Sequence, residues 1–220
     1  MRTWDGIAWL REAREFESDY CVTFAKGLRP LELLTRMGCD PTTAAPMGFV
    51  DATEAYFDTG VEVIRAGVSH GWAFAVENTG ARGFDPDVQA AVSVGTEAVV
   101  VYSDVNPVAH FVHARNGEVT CGFAAATPEC RFGTDPNLLL PHMIAAGLLS
   151  PGGDPPADDD TSPRGCELRM SERAFGLDLP YDLVVHGLLT AAALREGLSE
   201  PLSVDTAPAR ETPGPGPGAV

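Results

Sequence analysis

Lysine is almost missing from this chain. Lys26 is the single lysine among 15 basic residues, set against 31 acidic ones, for a formal net charge of -16. No third of the sequence is basic. Ordinary binding to a phosphate backbone, which needs clustered cations, is therefore disfavoured. The acidity leaves three readings: simple solubility, a basic protein partner, or mimicry of a nucleic acid. Isoleucine is scarce too, while Ala, Gly, Pro and Asp abound, which looks like the imprint of a GC-rich genome.

Cysteine pairing is also lacking. The five cysteines, Cys21, Cys39, Cys121, Cys130 and Cys166, are odd in number, and none forms a Cys-x-x-Cys. That argues against a disulfide framework or a zinc ribbon. Residues 1–20 are charged and interrupted and do not read as a secretory leader, so reduced thiols in the cytoplasm are expected. Long apolar runs are absent. The longest, residues 138–149 and 183–194, are too short to cross about 30 Å of hydrocarbon, and no membrane association is expected.

Catalytic signatures are equally sparse. Gly-x-Ser-x-Gly, phosphate-cradling glycine loops and two-histidine zinc helices do not occur; Ser93 in Val92-Ser93-Val94-Gly95 lacks the first elbow glycine. His110-x-x-His113 is the nearest approach to a metal pair. On a strand, residues three apart point to opposite faces, so one ion cannot readily use both. His110 reads instead as a core-edge histidine. Cys21, Cys121 or Cys130 would need a base to act as nucleophile, and nothing local supplies one. Glu77 ends an apolar strand; it reads as a water-exposed carboxylate, with a general acid as the rarer case.

What is present is strand pattern. Tyr20–Ala25, Val61–Val68, Trp72–Asn78, Glu97–Ser103, Ala109–Arg115 and Glu118–Phe123 are rich in aromatic and branched residues. His70-Gly71 predicts a two-residue turn that sets Gly67 opposite Phe74. Asn116-Gly117 predicts another, pairing Arg115 with Glu118, His113 with Thr120 and Phe111 with Gly122. The alternate set (Ala114, Val119, Val112, Cys121, His110, Phe123) is more apolar and is expected to face the core. Trp72 shares a face with Phe74 and Val76 and reads as core.

Helices are expected over residues 5–17, from Pro30 through Met37, over 53–57, from Asp85 to Val94, from Thr134 to Gly147, and over 167–175 and 180–195. Residues 39–50 read as a loop. The predicted fold is α+β, a twisted antiparallel sheet of five or six strands with helices packed mainly on one face. Trp9, Leu34, Leu139, Ile144 and the 180–195 helix would build that face. Residues 1–150 would form the core domain, 151–165 an acidic Pro/Gly-rich linker, 166–197 a helix pair docking on the core, and 198–220 a disordered tail.

Several segments together carry a resemblance. They are Tyr20-Cys21-Val22-Thr23-Phe24, Gly27-Leu28-Arg29-Pro30, Gly71 to Glu77, Gly95-Thr96-Glu97-Ala98-Val99, and Arg131-Phe132-Gly133 with Asp135-Pro136. In this order, over residues 5–195, the chain resembles an uncharacterised family common in GC-rich actinobacteria. The resemblance implies a fold and no activity.

The sequence thus assigns no catalytic residue, no metal and no cofactor. The leading reading is a non-enzymatic interaction or regulatory module of the immunity or antitoxin kind, with another protein as partner. The alternatives are a small-molecule binder or enzyme with a non-local His/Cys site, and an acidic nucleic-acid mimic. Interaction candidates are Arg82 and Phe84, before the Asp85 helix, with His110 and His113. Phe84 also fits the apolar staple that precedes a helix.

Overall fold

The computed structural model describes residues 6–12, 16, 19–104, 108–155 and 165–195. Its framework is one eight-stranded sheet, antiparallel throughout. The strands are β1 (Tyr20–Lys26), β2 (Ala45–Met47), β3 (Val63–Ser69), β4 (Trp72–Glu77), β5 (Glu97–Ser103), β6 (Ala109–Arg115), β7 (Glu118–Ala124) and β8 (Leu189–Ala193). Their spatial order is β2-β8-β3-β4-β1-β5-β6-β7. The helices are α1 (Pro30–Arg36), α2 (Phe49–Thr59), α3 (Pro86–Ser93), α4 (Leu140–Ala146), α5 (Cys166–Phe175) and α6 (Tyr181–His186).

Strand composition sets the layering. In β4, Trp72, Phe74 and Val76 alternate with Ala73 and Ala75. Successive side chains of a strand point to opposite faces. The bulky set joins Val22, Phe24, Val99, Val101, Phe111 and Phe123 on one face, under residues of the 3-10 turn Ala8–Arg11 and of α4, α5 and α6. The alanines join Ala25 and Ala98 on the other, where Leu33, Leu34 and Met37 at α1, and Val88 and Val92 of α3, come down on them. Small residues let those helices approach the sheet closely.

Both tight turns form as the sequence predicts. His70 and Gly71 have φ of 46° and 82°, Asn116 and Gly117 of 52° and 89°, the left-handed values such two-residue loops require. Gly67 pairs with Phe74, and a Cβ there would lie 2.5 Å from the Phe74 ring. Asp85 caps α3, its Oδ1 accepting the Asp87 N–H at 2.8 Å.

Several expectations are corrected. The sheet has eight strands rather than five or six. One addition, β2, lies in the stretch read as loop. The other, β8, lies within the 180–195 helix: α6 ends at His186, and β8 runs along the outer side of β3. Helices cover both faces, so Leu34 lies on the opposite side of the sheet from Trp9, Leu139 and Ile144.

The β6–β7 register is also shifted by a bulge between His113 and Ala114. His113 pairs with Cys121, Val112 with Gly122 and Phe111 with Phe123, leaving Thr120 as the extra residue. The reason is a strap. The Asp135 N–H donates to Thr120 O at 2.8 Å, the Thr134 N–H to Val119 O at 3.0 Å, and Phe132 exchanges both backbone hydrogen bonds with Gly122. The strap pulls the odd residue out of the ladder.

At the N-terminal side, Ala8–Arg11 is a 3-10 turn, and residues 5, 13–15 and 17 of the predicted 5–17 helix lie outside the described residues. Most of the predicted linker (156–164) and the predicted tail fall outside the described residues.

Candidate functional site

One row of the sheet gathers the chemistry. Glu77 pairs with Cys21, Cys21 with Tyr102, and Tyr102 with His110. These four neighbours on β4, β1, β5 and β6 lie on the alanine-bearing face, beyond α1 and α3. A short turn, Arg82–Phe84, lies over them. The Phe84 ring sits 4.9 Å from both Tyr102 and His110, and those two are 5.9 Å apart. Phe84 therefore roofs the row while also preceding the α3 cap.

Glu77 is 1% exposed, against the sequence expectation of a water-exposed carboxylate. One of its oxygens accepts the Arg82 N–H at 2.5 Å and the other the Gly83 N–H at 2.8 Å. Cys21 and Glu62 interact with it electrostatically. Thr23 Oγ1 lies buried in the same cluster without a partner. A Cβ at residue 83 would fall 2.0 Å from that hydroxyl, so only glycine lets the turn close.

Electrostatics follow from burial. Desolvation pushes the Cys21 thiol well above its ordinary value, and Glu77 and Glu62 push it further. It is a packed thiol, not a thiolate nucleophile. Desolvation raises Glu62 to about 8, with Glu77 beside it adding to the effect. Burial lowers His110, against the pull of Asp104, so its ring is neutral at physiological pH.

The sequence-chosen residues divide between two places. Arg82, Phe84 and His110 meet at this row; Arg82 also pairs with Asp85 at 2.8 Å. His113 is on the opposite face, 3% exposed, its ring 5.0 Å from Phe175. Its Nε2 is 3.6 Å from Glu97, which also takes Lys26 at 2.5 Å. Burial lowers His113 although Glu97 pulls it upward. A shallow polar groove of about 280 Å³ opens at Lys26, Glu97, Arg115 and Asn116.

Among the described residues no group of three or more His, Cys, Asp and Glu is placed to hold a metal ion. No described helix is long and apolar enough to cross a membrane.

The family described as "Family of unknown function (DUF6461)" matches residues 2–192. The chain belongs to DUF6461. No curated protein and no solved structure matches it.

Sequence reasoning missed two features of this DUF6461 chain. One is the Glu62–Glu77 pair, signalled only by Gly80 and Gly83 in the turn that follows an apolar strand. The other is α2. It is an 11-residue helix that buries Ala52 alone, while Val50 is 61%, Phe57 76% and Tyr56 37% exposed. Val50 and Phe57, two turns apart, share a face of the helix with Glu54 between them. Leu183 of α6, which contacts α2, and Leu188 just after α6 are exposed as well.

Proposed function

We propose that this DUF6461 chain is a cytoplasmic, non-enzymatic interaction module, and that α2 presents its binding face to a basic protein. The observation that carries this reading is Phe57, an aromatic left mostly in water on a helix that buries a single residue. Large exposed aromatics are the usual anchors of protein interfaces. Asp51, Glu54 and Asp58 surround it on the same helix, so a partner that covers Phe57 gains by bringing cations.

Mimicry of a nucleic acid is less well supported. Glu62, Glu77 and Glu167 are buried, and Glu32, Asp85 and Glu97 are engaged by Arg36, Arg82 and Lys26. Those carboxylates do not form a phosphate-like row. An enzyme built on Cys21 is disfavoured by its buried, protonated thiol, and the Phe84 ring packs against His110.

The test is photo-crosslinking in native cells with a benzophenone side chain at position 57 and, as control, at position 132 on the far side of the sheet. The expected result is one adduct from position 57 only, with a basic protein whose affinity falls about tenfold or more on Phe57→Ala and in high salt. Thermal stability should be unchanged. Equal adducts from both positions, no adduct, or an adduct with a second copy of the chain would overturn the reading.

A further inference from the structure

We propose that the turn joining β4 to α3, residues 78–85, is a proton-operated cover: it closes on the sheet while Glu62 and Glu77 hold one proton between them, and it loosens when that proton passes to water.

Burial favours one proton on the pair. Glu62 and Glu77 are both buried beneath the same short turn, Glu62 Oε1 against Gly80 and Glu77 Oε1 against Gly83, and a dry site disfavours two neighbouring anions. Glu77 is the ionised member. Its two oxygens take the Arg82 and Gly83 amides, donors suited to a negative charge. Glu62 is the protonated member. Its Oε1 is buried with no donor from the protein, which disfavours the anion in the closed form.

The cover rests on these two side chains through two glycines. A Cβ at residue 80 would fall 1.8 Å from Glu62 Oε1, and one at residue 83 would lie 3.1 Å from Glu77 Oε1. Backbone of the turn therefore lies close against both carboxyls. Glu62 stands just before β3, at the rim, with 9% of its surface in water. It is the group with a way out.

The surroundings offer little to hold a second negative charge. Cys21 on β1, Cys39 after α1 and Tyr102 on β5 are neutral neighbours whose own ionisation the carboxyls oppose. Arg82 favours the Glu62 anion; its Nη1 is engaged by Asp85, while its Nε is buried without a partner. Arg195 acts on this cluster only as far as Cys39. Two neighbouring anions in a dry site repel strongly. Losing the proton sends Glu62 toward solvent, removes the support beneath Gly80 and frees the roof over Tyr102 and His110.

The proposal is tested by following the amide resonances and hydrogen exchange of Gly80, Arg82 and Gly83 from pH 6 to 9.5, corrected for intrinsic exchange. In the wild-type protein the three should move together in one transition near pH 8, with protection falling about tenfold or more across it. Glu62→Gln keeps the shape, carries no proton to lose and should stay closed across the range. A wild-type protein with flat profiles overturns the proposal without recourse to any variant. So does an unchanged transition in Glu62→Gln. Neither outcome bears on the α2 face, which the crosslinking experiment reads separately.

Discussion

Arg65 is the largest of the fully buried side chains. It has no carboxylate within ion-pair distance among the described residues. Its Nη1 donates to Val184 O at 2.9 Å, its Nη2 to Asn78 Oδ1 at 3.4 Å, and its guanidinium sits 5.1 Å over the Phe49 ring. One side chain of β3 thus ties α6, α2 and the end of β4 together. Burial lowers its pKa to about 10, which leaves it charged at neutral pH. Arg65→Ala should cost about 2–4 kcal/mol, from the cavity and from the Val184 carbonyl left without a donor. Arg65→Met fills the space and should recover part of that loss. Urea unfolding of both variants checks the order. Nothing in the sequence marked Arg65, because a lone arginine in an alternating strand reads as a solvent-facing residue. Gly67 was legible, because the His70-Gly71 turn fixed its register against Phe74.

Two elements show where local pattern gives way to context. Residues 189–193 are Leu-Thr-Ala-Ala-Ala, a sequence of high helix propensity. They form β8 because β3 offers an open ladder and small side chains fit beneath α1. Propensity is a weak prior when a ladder and a buried face compete with it. The β6–β7 register failed for a different reason. A turn fixes pairing only until a bulge intervenes, and the cause of this bulge is a strap 12 or more residues away in sequence. Gly133 in that strap has φ of 115°, and a Cβ there would meet the Thr120 carbonyl oxygen at 2.4 Å. Gly133→Ala should therefore cost about 2–3 kcal/mol, from backbone strain and the collision together. Amide exchange should show the loss concentrated at residues 119–123, with β1 and β4 unaffected. Of the candidate site, Arg82, Phe84 and His110 were legible from turn and aromatic content. Their meeting with Glu77 and Cys21 was not, because it depends on the order β4-β1-β5-β6, which no local pattern encodes.

Taken as a whole, the molecule stores its titratable groups in an unusual way. Burial is the leading cause that raises Glu62, Glu77, Glu167 and Asp19 above ordinary carboxyl values. It is also the leading cause that lowers His110 and His113. A carboxyl raised in the folded state binds more protons folded than unfolded, so its contribution declines as pH climbs from the unfolded value through the folded one. A histidine lowered in the folded state does the opposite, and its contribution is lost as pH falls through about 6.5. Stability should therefore peak at or below about pH 6.5 and decline toward pH 8. The slope of that decline should approach ~1.4 kcal/mol per pH unit, the value for one proton. Thermal unfolding from pH 5 to 9 reads it directly. Glu62→Gln should remove this decline across the whole window from about pH 4.5 to 8, leaving the loss from the two histidines on the acid side, whereas a wild-type plateau from pH 6.5 to 8.5 would contradict the assignment.

The two margins of the sheet have a consequence for recognition. At one end stands β2, three residues long with Pro46 at its centre, a residue that brings no amide hydrogen. At the other end, the carbonyls of Val119 and Thr120 and both backbone groups of Gly122 are already taken by the strap. A foreign chain hoping to extend the ladder as a ninth member finds no template at either border. Self-assembly into ribbons is blocked by the same construction.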